Sequence, residues 1–224
     1  MPEHLLITIA IVGGTGPEGT GLALRWARAG YRVIIGSRSG EKAVAHAQGL
    51  ADRLGGHGVL SGMANLEAAR AGDVVVLAVP FEAHQAMLEE LGPGLKGKIL
   101  VDVSVPLVPP RVTVVQMPPA GSAGAEAQET LGPEVSVVSA FQNVSKVHLA
   151  DEDEPIDCDV LVCGNDPGAR DQVLKLVEAA GMRGWDAGPI QNAAVAEGMT
   201  SILIGINRQY RVQGAGIRIV GVPR

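Results

Sequence analysis

The sequence predicts an α/β protein built on a doubly wound, mainly parallel sheet, with a small helical segment at its C-terminal end. Three observations carry this expectation: continuously apolar, β-branched runs recur along the chain, helix-length segments separate them, and the first run leads through clustered glycines into a proline-started helix. A strand covered by helices on both faces has no polar side to present, so unbroken rather than alternating apolarity marks a parallel sheet. At 224 residues the chain suits one domain, or one domain with a modest appendage.

In chain order, residues 5–12 (LLITIAIV) are the first expected strand. Pro17 fits a first helical position and Gly30 a stop, giving a helix over 17–29. Residues 31–36 (YRVIIG) form the second strand, and Val44, Ala47, Ala51 and Leu54 repeat at helical spacing over 41–54. A weak third strand at 59–63 precedes a short helix over 65–71, capped by Asn65. Residues 73–80 (DVVVLAVP) are the fourth strand, followed by a helix over 82–91, and 98–105 (KILVDVSV) are the fifth. The sixth strand is expected at 134–141 and the seventh at 159–163, before a helix over 169–180.

Two stretches break the rhythm. Residues 105–133 are rich in Pro, Gly and Ala and read as a long connection with one helix at 123–131. Residues 151–159 (DEDEPIDCD) carry six acids in nine positions, match no calcium loop and read as a solvated acidic turn. The internal seam falls near Gly188-Pro189, dividing the chain into 1–188 and 189–224.

Composition narrows the function. Lys+Arg 18 against Asp+Glu 24 gives a net charge of −6, which argues against a general nucleic-acid binder. The first apolar run follows Glu3 and is too short to span a bilayer or to act as a secretion signal. Cys158 and Cys163 lack zinc-site or redox-pair spacing, so no metal is expected. A cytoplasmic protein without membrane or nucleic-acid partners is the expectation.

The most informative residues are Gly13-Gly14-Thr15-Gly16-Pro17-Glu18-Gly19. Gly14, Gly16 and Gly19 satisfy G-x-G-x-x-G between a buried strand and a helix, the context of a Rossmann-type dinucleotide turn. Gly14 is expected to permit the tight turn, Gly16 to let the main chain approach a pyrophosphate, and Gly19 to let the helix pack on the strand. The helix N-terminus then offers N–H groups and a positive dipole to the phosphates. About 20 residues beyond these glycines, where an NAD binder places a carboxylate, the chain reads Gly36-Ser37-Arg38-Ser39, with Lys42 one turn on. A hydroxyl, a guanidinium and an ammonium suit a 2′-phosphate, so Ser37, Arg38 and Lys42 point to NADP.

No proton donor stands out. A Tyr four residues before a Lys is absent, and His84 and Lys146, which could serve as acids near strand ends, read more readily as surface side chains. Only about 35 residues follow Gly188, too few for a large helical substrate domain. A second bound cofactor as hydride acceptor removes the need for a protein acid, because catalysis is then mainly the positioning of two rings. Small and apolar strand-end groups suit such a cleft: Val79-Pro80-Phe81, Val103-Ser104-Val105-Pro106 and Ala140-Phe141-Gln142-Asn143, with Phe81 and Phe141 equally readable as core. From Gly198 onward Arg208, Arg211, Arg218 and Arg224 occur with no acid, a basic segment fit to hold an anionic tail, while the apolar run 200–206 docks on the sheet.

Taken together, Gly13-Gly14-Thr15-Gly16 with Gly19, Gly36-Ser37-Arg38 with Lys42, Val79-Pro80-Phe81-Glu82, Val138-Ser139-Ala140, Val162-Cys163-Gly164-Asn165-Asp166 and Asp186-Ala187-Gly188-Pro189 resemble the NADPH-dependent reductases of the deazaflavin coenzyme F420. The resemblance covers nearly the whole chain. It implies reversible hydride transfer between C4 of nicotinamide and C5 of F420. It also implies that Thr15, Gly16, Pro17 and Glu18 hold the pyrophosphate, that Ser37, Arg38 and Lys42 hold the 2′-phosphate, and that Val79, Val103 and Ala140 line the nicotinamide side. The segment around Ala215 would complete the deazaflavin pocket, and the family resemblance with the run 202–206 implies a homodimer. Pro17-Glu18 and Gln142 depart from the residues expected in archaeal members. An NADP-dependent imine or ketone reductase of the pyrroline-carboxylate type and a non-catalytic NADPH sensor are the alternatives.

Overall fold

The computed structural model describes residues 7–56, 58–151 and 156–222. Its strands are β1 (Thr8–Val12), β2 (Arg32–Ser37), β3 (Val59–Ala64), β4 (Val74–Leu77), β5 (Ile99–Asp102), β6 (Ser136–Ser139), β7 (Asp159–Gly164) and β8 (Arg183–Asp186). Its helices are α1 (Pro17–Arg28), α2 (Gly40–Arg53), α3 (Asn65–Ala71), α4 (His84–Leu91), α5 (Ala123–Leu131), α6 (Lys146–Ala150), α7 (Pro167–Ala179) and α8 (Ala193–Tyr210). The strands form one eight-stranded sheet in the order β3-β2-β1-β4-β5-β6-β7-β8.

Every neighbouring pair is parallel except β6–β7, where Val138 faces Gly164 and Ser139 faces Cys163 in antiparallel register. The doubly wound, mainly parallel α/β architecture read from the apolar runs is therefore the observed one. β1 shows why the run is unbroken: Ile9 and Ile11 pack with α1, α2 and α7 on one face, while Ala10 and Val12 pack with α3, α4 and α5 on the other. Leu5 and Leu6, the start of the first expected strand, lie outside the described residues.

Departures from the sequence reading have local causes. β8 was not expected, because Arg183-Gly184-Trp185-Asp186 has no apolar run; it is an edge strand held by tertiary bonds, with Trp185 Nε1 donating to Asp159 Oδ2 at 2.8 Å. β4 and β5 end sooner than the apolar runs do, at Leu77 and Asp102, since the chain beyond them leaves the sheet. The short α6 was also missed, and it begins with Ser145 Oγ accepting from Val147 N.

The run 200–206 splits on α8: Ser201 and Leu203 are buried, whereas Ile202 and Ile206 are 54% and 37% exposed. The acidic stretch is only in part a solvated turn. Residues 152–155 lie outside the described residues, but Asp159 is buried in β7, where its carboxylate also accepts from Ile219 N at 2.7 Å. The C-terminal tail is thus laid along β7, with Asp159 N donating to Ile217 O and Asp157 meeting Arg218 at 3.4 Å.

Candidate active site

Parallel strands that share one direction end together, and the loops leaving those ends frame a crevice. Here the loops after β1, β4, β5 and β6 enclose a cavity of about 930 Å³, closed on its far side by α8 and Ala215 of the tail. Among its lining residues only Glu18, Glu82 and Lys146 are ionisable.

The glycine turn forms one wall. Gly13, not Gly14, adopts the left-handed backbone, at φ +73°. Gly14 instead packs, since a Cβ there would lie 2.8 Å from Ile11 O, and its N–H is shared between Ile11 O (3.1 Å) and Gly36 O (2.9 Å). That second bond ties the turn to the end of β2. A Cβ on Gly19 would meet Gly14 Cα at 2.8 Å, so the close approach of α1 requires this glycine. Gly16 differs: its φ is −73° and a Cβ would touch only Gly13 O at 3.4 Å. Nothing inside the protein demands glycine at 16, and its open side faces outward, which fits a ligand's close approach to the main chain.

The residues read as a 2′-phosphate site lie apart from the cavity lining. Ser37 closes β2, and Ser39 caps α2 by accepting from Lys42 N at 3.3 Å, which fixes the backbone between them. The Arg38 and Lys42 side chains are exposed. The tie from Gly14 N to Gly36 O keeps this cationic corner beside the glycine turn.

Val79 and Val103 line the cavity together with Phe81 and Ser104. Ala140 does not: it is fully buried in the core behind the wall. Phe141 is likewise core, edge-on to Trp26 at 5.8 Å, and holds a left-handed φ of +75° that costs a side-chain-bearing residue about 1–2 kcal/mol. After this bend Gln142 and Asn143 reach the cavity, while Gln142 Oε1 and Asn143 Oδ1 are buried acceptors with no partner among the described residues.

A buried polar network supports this wall. His84 is not a surface side chain; its Nε2 lies 2.7 Å from Asp102 Oδ2, both being buried, and its ring stacks on Phe81. Asp102 Oδ1 accepts from Ser104 N at 2.9 Å, and Gln142 Nε2 donates to Asp102 O at 2.7 Å and to Ser139 Oγ at 2.8 Å. Glu197 of α8 accepts from Ala123 N and Gly124 N, so a carboxylate 73 residues away caps α5. Desolvation favours a neutral His84, but the hydrogen bond and charge of Asp102, with Glu126 and Glu197 beyond, outweigh it and raise its pKa. Burial pushes Glu197 up to about 7 despite its two N–H donors. The sequence reading missed Asp102, Glu197, Thr200, Leu203 and Asn207; of these only Asp102, a lone carboxylate inside an apolar strand, carries a local signal.

Among the described residues no cluster of three or more His, Cys, Asp or Glu is arranged to hold a metal, and no helix is long and apolar enough to cross a membrane.

A Rossmann-type sheet, a glycine turn and a crevice at the strand ends define a Rossmann-type dinucleotide-binding protein. Comparison with known proteins narrows the class. The family described as NADP oxidoreductase, coenzyme F420-dependent, matches residues 8–106. An F420-dependent NADP reductase of Methanocaldococcus jannaschii is 42% identical over 221 residues, covering 96% of this chain and 98% of the relative. A crystal structure from Arthrobacter sp. FB24, assigned to the F420-dependent NADP-reductases, superposes with TM-score 0.78 at 28% identity, covering 96% of this chain and 99% of that one. The chain belongs to the F420-dependent NADP reductases. A pyrroline-5-carboxylate reductase of Coxiella burnetii shares only the fold, at 17% identity and TM-score 0.60 over 91% of this chain and 67% of that one.

Proposed function

We propose that this protein catalyses reversible hydride transfer between NADP(H) and coenzyme F420. The observation that carries this reading is the single crevice running from the glycine turn to α8 and Ala215, roomy, mostly apolar and almost free of ionisable groups. The two cofactors supply the redox chemistry, a hydride passing between nicotinamide and deazaflavin. The protein binds, orients and excludes water.

In this reading the chain from Thr15 through Gly16 and Pro17 to Glu18 receives the pyrophosphate, on a turn shaped by Gly14 and Gly19. Ser37, Arg38 and Lys42 hold the 2′-phosphate. Val79 and Val103 support the nicotinamide, with Ala140 backing that wall from the core. Residues 1–188 form the NADP-binding unit, and 189–224 complete the deazaflavin site through α8 and Ala215. A deazaflavin bleaching assay with NADPH tests the whole: protein-dependent bleaching, with NADH much poorer, is expected. NADPH binding without bleaching would replace the enzyme by a sensor.

Val195, Ile202, Ile206 and Tyr210 leave an exposed apolar stripe on α8, which supports a homodimer joined there. A clean monomer at micromolar concentration by light scattering would rule that out. Both cysteines are free and buried, which suits the reducing cytoplasm.

A further inference from the structure

The last variable position of the glycine turn holds an acid. Glu18 is in the first turn of α1, its side chain is half-buried, and it lines the cavity beside Gly16, Val79 and Val103. Among the described residues it has no hydrogen-bond or ion-pair partner. A carboxylate in this place would face the two negative charges of a pyrophosphate on the same helix end, with little water to screen them.

Other charges around α1 do not cancel that conflict. The turn after β4 brings Glu82 into the same cavity, and α6 brings Lys146 at its exposed rim. His148 of α6 is spent on Gly214 O at 2.8 Å, and His46 of α2 on Thr20 Oγ1 at 2.9 Å. Arg38 and Lys42 stand outside the cavity lining, and Asp102 is sealed with His84 below Ser104. The far end of α1, with Arg25 and Arg28, meets α7 through Trp26.

We propose that Glu18 receives the dinucleotide as a neutral carboxylic acid, donating its proton in a hydrogen bond, so that binding in mildly alkaline solution takes up a proton. Burial already pushes this carboxyl up to about 8, and a bound pyrophosphate moves it further in the same direction. The inference rests on dinucleotide binding at the glycine turn.

NADPH titrations of the intact protein by fluorescence test it. Affinity is expected to weaken about tenfold between pH 7 and pH 9, and Glu18→Gln to hold it within twofold across that range. Calorimetry at pH 8.5 in two buffers of different ionisation enthalpy should record uptake of roughly three quarters of a proton, lost in Glu18→Gln. Tight binding that is flat with pH, or proton uptake unchanged in the variant, overturns this inference and leaves the reading of the turn intact. Failure of the wild type to bind NADPH at any pH overturns both.

Discussion

The two long walls of the cavity are built by opposite means. On the β1–α1 side the surface is main chain: glycines at 13, 14 and 19 set its shape, and the bond from Gly14 N to Gly36 O locks it to β2. On the β5–β6 side the surface is side chains, Ser104, Gln142 and Asn143, propped from behind by Asp102, His84 and Glu197. A wall of main chain is intolerant of added atoms, and on this one Glu18 is the titrating side chain. A wall propped by buried ionisable groups responds to their protonation and fails when one partner is removed.

The largest expected effect breaks the propped wall. Asp102→Ala leaves the buried His84 Nε2 and Ser104 N without their carboxylate partner, and we expect a loss of about 3–5 kcal/mol in urea unfolding, the range for severing a buried pair. A loss under about 1 kcal/mol would show that this wall does not depend on the pair.

Next comes the main-chain wall. Gly16→Val should weaken NADPH binding by on the order of 100-fold, about 3 kcal/mol, by filling the ligand's approach. The melting temperature should stay near wild type, because a Cβ at this position meets only Gly13 O. A matching drop in stability would mean that Gly16 serves the fold instead.

Arg38→Ala sharpens the contrast between wall and cationic corner. NADPH affinity should fall by about 1.5–3 kcal/mol, the worth of a charged hydrogen bond, while NADH affinity barely moves. Equal losses for both dinucleotides would remove Arg38 from the 2′-phosphate site.

The smallest effect probes the propped wall by pH. Glu197 is held protonated up to about 7 in the folded state, above its ordinary value of 4.5. The folded protein therefore binds a proton that the unfolded chain has lost, and stability declines as pH rises through that window. The raised pKa of His84 acts in the same sense. Between pH 5 and pH 8 the wild type should lose on the order of 2 kcal/mol more than Glu197→Gln does, measured by chemical unfolding. Parallel curves would detach Glu197 from the titration.

The same contrast explains what was readable beforehand. The helices over 65–71 and 123–131 have the bounds expected; Ser122 caps the second, whereas Asn65 does not cap the first, where it is the first helical residue after Ala64. The glycine turn was legible too, down to Gly19. Its inner division of labour was not: the left-handed residue proved to be Gly13, since the turn's φ values depend on how the chain must leave β1. His84 looked like a surface residue on a short helix, and only its packing against Asp102, 18 residues on, makes it a buried polar partner. Ala140 looked like a wall residue and is core, because the left-handed bend at Phe141 hands the cavity surface to Gln142 and Asn143.

By itself, then, the sequence determined the parallel strands, the helices between them and the phosphate-binding turn, since apolar period, capping and glycine placement act within a few residues of one another. Only the tertiary structure decided the antiparallel β7, the edge strand β8, the cap that Glu197 places on α5 and the tail that brings Ala215 to the cavity. Each of these joins groups far apart along the chain, and what favours them is the need of buried polar atoms for partners once the core has closed, which no local pattern encodes.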